Sequence, residues 1–172
     1  LSGEKKLLVS EDLVSRHLGG DFGVKSVWLQ SVLLRAHGEG SLSLDDYSDA
    51  LVFLSERKHN FVSVNSDVLY SVFSRENGNT LRKFQVLCEY VGCKHAEPLS
   101  HIDLVTSFIN KIWSDGQGNR VKESKASSIL FRAMLIRQRH NKWTYWASLI
   151  MFQLDTAPAH FFSNWCRGHF LP

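Results

Sequence analysis

The sequence predicts a mainly α protein, a helical bundle with one or two short strands near its N-terminus. Apolar residues recur at steps of three and four through most of the chain, and capping residues or glycine and proline breaks divide these stripes at helix-sized intervals. Strand signals are few: the apolar run Leu7-Leu8-Val9 and the alternating, β-branched Phe61-Val62-Ser63-Val64.

Taken in order, Leu13, Val14 and Leu18 begin a first helix, which the Gly19-Gly20 doublet is expected to stop. Val24, Val27, Trp28, Val32 and Arg35 then recur at helical steps, with Leu29, Leu33 and Leu34 broadening the stripe. A second, largely buried helix ending near Gly38-Glu39-Gly40 follows from that pattern. Ser43 is placed to cap a third helix running through Leu54, with Asp45 and Asp46 at the positive end of its dipole. Asn65 or Ser66 caps the next, which carries Val68, Leu69, Val72 and Phe73.

After the Asn77-Gly78-Asn79 turn, Leu81, Phe84, Leu87 and Tyr90 mark a further helix, and the stretch from Cys93 to Leu99, with Pro98, reads as a connector. Ser100 to Asp103 resembles a capping box ahead of Leu104, Val105, Phe108, Ile109 and Ile112. Asp115-Gly116-Gln117-Gly118-Asn119 breaks the pattern. A long basic helix is expected from Arg120 to about His140, then helices over Trp143 to Leu154 and Ala159 to Trp165, separated by Thr156-Ala157-Pro158.

At 172 residues, with 44% hydrophobic and 22% charged residues, the chain is long enough and apolar enough to fold around a core. No run reaches the roughly 18 apolar residues of a membrane span, and three cysteines make no dense disulfide framework. A cytoplasmic protein without membrane contact is expected. The net charge of +3 hides an asymmetry: residues 1–95 carry 11 Lys and Arg against 12 Asp and Glu, and residues 96–172 carry 9 against 5. The basic surplus lies in the second half and is compatible with an anionic partner.

The clearest hint of chemistry is Ser10-Glu11-Asp12, which directly follows the Leu7-Leu8-Val9 run. Hard divalent cations take oxygen ligands, and adjacent carboxylates at a strand end can project toward one metal site. The same acids also suit the start of the helix beginning near Leu13, with Ser10 as its cap. Together with Gly23-Val24-Lys25-Ser26-Val27-Trp28-Leu29-Gln30 and the segment from Ser43 to Val64, this pattern resembles the closing half of a bacterial PIN-like nuclease domain, over about residues 7 to 73.

The resemblance implies a compact α/β fold that gathers acids around magnesium or manganese and cleaves RNA by metal-assisted hydrolysis. By position, it implies that Asp12 is the acid after a central strand, Glu11 its neighbour and Asp21 a later acid. The family's first essential Asp ends an upstream strand that is missing before Leu7. A preceding segment or a second protein chain is therefore expected to complete the acidic site, and the chain, which opens on Leu1 rather than Met, is expected to be a fragment inactive by itself. On this reading residues 1–76 are a truncated PIN-like segment and residues 77–172 a helical domain.

Other constellations are weaker. Cys88, Cys93, His95 and His101 are borderline metal ligands, but no Cys-x-x-Cys pair exists and Cys88 lies on an apolar helix face, the position of an ordinary buried thiol. No Gly-x-Ser-x-Gly or phosphate-binding glycine loop is present. Arg132, Arg137, Arg139 and Lys142, followed by Trp143, form a basic and aromatic stretch that can neutralise phosphates and stack on unpaired bases of RNA. The alternative function is accordingly a non-catalytic helical module that binds protein or nucleic acid.

Overall fold

The computed structural model describes residues 6–59, 62–77, 80–92, 97–115, 119–136 and 143–170. The chain is mainly α, as its periodicity predicts, and divides into two compact units, Leu1–Val62 and Ser63–Pro172.

The first unit opens with a βαβ motif. Strand β1 (Leu7–Val9) pairs in parallel with β2 (Lys25–Val27), Leu7 opposite Lys25 and Val9 opposite Val27, and helix α1 (Leu13–Asp21) connects them. Helix α2 (Leu29–Gly38) and helix α3 (Leu44–Glu56) follow and pack on each other. The buried amide of Gln30 donates to the Tyr47 hydroxyl at 3.1 Å, and the His37 ring stacks on Tyr47 at 5.3 Å. Ser43 caps α3 as expected, accepting from the Asp46 amide at 3.1 Å.

Three expectations are corrected here. Gly19 and Gly20 lie inside α1, which runs on to Asp21; a Cβ at Gly19 would fall 3.0 Å from Leu8 Cδ2, so glycine there lets the helix lie close on the sheet. Residues 25–27 are strand rather than helix, since pairing with β1 overrides the three-and-four spacing. The second helix is also not largely buried: Gln30 is its one buried residue, and Val32 and Leu34 are exposed.

The second unit is a helical bundle. Its helices are α4 (Ser66–Arg75), α5 (Arg82–Cys88), α6 (Pro98–Ser114) and α7 (Arg120–Phe131), a π-helical turn (Arg132–Ile136), α8 (Trp143–Gln153) and α9 (Thr156–Phe170). The α6 helix is central, packing against α4, α7, α8 and α9. It buries Ile102, Val105, Phe108, Ile109 and Ile112, an apolar stripe at helical spacing. Phe108 meets Phe73 at 5.7 Å and Phe84 at 5.2 Å, and Phe131 anchors a second aromatic cluster, 4.5 Å from Phe162 and 5.5 Å from Trp165.

Asn65 caps α4 through the Val68 amide at 2.9 Å. The α6 helix starts earlier than the capping-box pattern implies. Pro98 occupies its first turn, where a missing N–H costs nothing, and Glu97 rather than Ser100 caps it, accepting from the Leu99 and Ser100 amides at 3.1 and 2.6 Å. Gly92 has φ +68°, and a Cβ there would fall 2.7 Å from the Ala133 carbonyl oxygen. Only a glycine allows the loop to approach the π-turn so closely.

Candidate functional site

Because β1 and β2 run parallel, the segments leaving both strands emerge at one edge of the sheet: Ser10-Glu11-Asp12 after β1, and Trp28 with the start of α2 after β2. In α/β folds this carboxyl edge is where ligands collect. The two strands are held in register beyond their ends by the Ser10 amide, which donates to the Val27 carbonyl at 3.0 Å.

Asp12 is the N-cap of α1. One carboxylate oxygen accepts from the Val14 amide at 3.2 Å, and the other accepts from the Ser15 amide at 2.8 Å and the Ser15 hydroxyl at 2.5 Å. The Ser15 hydroxyl above all, then the Ser15 and Val14 amides, holds the Asp12 carboxyl below the usual carboxylate range. Ser10 is therefore not the cap, as the sequence pattern alone allowed; its hydroxyl oxygen accepts from the Asp12 amide at 3.2 Å and shapes the turn.

Glu11 reaches across to the other strand's exit. Its Oε1 accepts from the Leu29 amide at 2.7 Å, at the positive end of α2, whose own N-cap residue Trp28 makes no side-chain cap bond. Its Oε2 lies 4.0 Å from His59 Nδ1. Neither partner is foreshadowed by a local motif. Arg16 donates to the Ser10 carbonyl at 3.3 Å, and its guanidinium lies 5.2 Å from the centroid of the Trp28 ring. Arg16, His17, Ser26, Trp28 and Ser31 line a concavity of about 330 Å³ next to the acidic turn.

Glu11 and Asp12 are thus brought to one edge. Asp21 is not brought to them: it ends α1, eight residues beyond Leu13 and so about 12 Å along the helix axis. Among the described residues, no three His, Cys, Asp or Glu side chains are placed to share a cation.

In the second unit, the basic residues are partly committed to structure. Arg120 pairs with the buried Glu123 at 2.9 Å, and Lys122 donates to the Phe73 carbonyl at 2.6 Å, its pKa lowered by burial. Arg132 is exposed on the π-turn, while Arg137, Arg139 and Lys142 lie outside the described residues. The Trp143 ring stacks on Phe170 at 4.5 Å with planes 12° apart. That face is occupied by a neighbour in the bundle.

The zinc candidates fare no better. Burial pushes the Cys88 thiol well up, as an ordinary core thiol behaves, and His101 Nδ1 accepts from the Gly92 amide at 2.7 Å. Cys93 and His95 are outside the described residues. No helix among the described residues is long and apolar enough to cross a membrane. Comparison with protein-family models, curated proteins and solved structures gives no match.

Proposed function

We propose that the first unit is the acid-bearing part of a PIN-like, metal-dependent ribonuclease domain, completed by a preceding segment or a second chain. The observation that carries this reading is the pair Glu11 and Asp12 at the carboxyl edge of a parallel βαβ unit. The state of that sheet supports it. Parallel sheets are normally covered on both faces, and two strands of three residues make a poor independent unit. Here Leu8 meets α1, whereas alternation turns Leu7 and Val9 to the other face, where they are 54% and 46% exposed. Further strands with their own acids would both cover that surface and add the missing ligands.

In that role Asp12 would offer magnesium or manganese the lone pairs that its cap bonds leave open, and Glu11 would need to move from the Leu29 amide or ligate by its second oxygen. The bound metal would supply an activated water for phosphodiester hydrolysis. Arg16, which donates to the Ser10 carbonyl beside the turn, would bring positive charge to a bound phosphate.

Asparagine caps helices as well as aspartate does, so Asp12→Asn separates the two roles. With the proposed completing segment or second chain present, manganese-dependent cleavage of single-stranded RNA should fall at least about a hundredfold in Asp12→Asn while α1 keeps its helicity. Cleavage unchanged by both Asp12→Asn and Glu11→Gln would overturn the proposal.

A second reading, a non-catalytic helical module, is favoured by α8. Eight of its eleven residues are apolar or aromatic, yet Ile150 is its one buried residue. An RNA-binding version of this reading leans on Arg132; a salt-sensitive gel shift with single-stranded RNA should weaken in Arg132→Ala, and equal binding removes it.

A further inference from the structure

We infer that the outer groove between α8 and α9 is a docking site for an amphipathic helix of another protein, one carrying a carboxylate near one end. The inference is independent of the nuclease reading. Trp143 at the start of α8 stacks on Phe170 at the end of α9, so the two helices form an antiparallel hairpin whose inner side packs on α6. A concavity of about 550 Å³ lies along the hairpin. Phe162 forms its buried floor, and Ala147 and Ser163 are small enough to admit a third helix closely.

A helix that is apolar nearly all round is normally covered on every side. On α8, however, Phe152 is 89% exposed and Met151 37%, and both border the groove. From Trp143 to Phe152 the groove spans about 13 Å, between two and three helical turns. Its one charged lining residue is Arg167, exposed in the last turn of α9 and without an ion pair among the described residues. The antiparallel arrangement puts Arg167 toward the Trp143 end. An incoming helix with apolar side chains at i, i+3 or i+4, and i+7 fills the slot, and an Asp or Glu at one end meets Arg167.

The test is a selection from a displayed library of helical peptides about 15 residues long, against the full chain, followed by fluorescence anisotropy with one enriched peptide. Enriched sequences should share the apolar spacing and a terminal acid. Phe152→Glu should weaken binding at least about tenfold, and Arg167→Glu about fivefold, the latter restored by exchanging the peptide's acid for lysine. Phe152 and Ser148 are exposed, so Ser148→Arg serves as an independent block should Phe152→Glu alter the circular dichroism. Failure to enrich any peptide, peptides that bind both variants as well as the parent chain, or a concentration-dependent dimer abolished by Phe152→Glu would each overturn the inference.

Discussion

Helices α2 and α6 carry the same kind of apolar spacing and meet opposite fates. The α6 stripe, from Ile102 to Ile112, is sealed by four neighbouring helices, whereas α2 leaves Val32 and Leu34 exposed and buries only Gln30. Each unit repeats the contrast. In the second, Phe84, Phe108, Phe131 and Phe162 are fully buried while Phe152 of α8 is exposed; in the first, Leu51, Val52 and Leu54 of α3 are buried while Leu7, Leu13, Val14, Leu18 and Phe22 remain at the surface along the βαβ motif. Periodicity specifies that a helix has an apolar face. It does not specify how fully that face is covered, and the half-covered one starts beside the acids.

Mutations can break this contrast. The largest effect is expected for Phe108→Ala, which removes the ring between Phe73 and Phe84 and should cost about 3–5 kcal/mol in urea unfolding followed by circular dichroism. Gly92→Ala comes next, at about 1–3 kcal/mol, because φ +68° is strained for alanine and the new Cβ meets the Ala133 backbone.

A smaller and local effect is expected at Asp12. Its pKa is lowered on folding, so its contribution to α1 is present above the usual carboxylate range and is lost as pH falls through the depressed value. Amide hydrogen exchange at Val14 and Ser15 should therefore gain an extra acid-dependent opening that Asp12→Asn lacks; equal pH profiles would contradict the cap assignment. Leu18→Ala, at a residue 52% exposed, should change stability by no more than about 0.5 kcal/mol. A loss comparable to that of Phe108→Ala would show that α1 is covered after all.

Much of the helical architecture is legible in the sequence. Ser43 and Asn65 cap the helices their positions imply, and the α6 stripe is buried as its spacing requires. The errors have specific causes. Gly19-Gly20 has the composition of a helix stop, yet the helix runs through it and Gly19 packs close to Leu8, and Lys25-Ser26-Val27 is made a strand by a partner eighteen residues earlier, beyond the reach of any local window. At the acidic edge, the adjacency of Glu11 and Asp12 is written in the chain. The contacts of Glu11 with Leu29 and His59 are not, because they arise from the parallel pairing and from the chain's return after α3.

The central claim, that the acidic edge is one part of a site completed from elsewhere, is tested most directly by manganese titration followed through paramagnetic broadening of the Val14 and Ser15 amide signals. The 172-residue chain should show weak, non-saturating broadening. The chain joined by the proposed completing segment or partner should show saturable broadening that Asp12→Asn abolishes. Identical weak broadening in all these forms would leave Glu11 and Asp12 as helix-start residues and contradict the account.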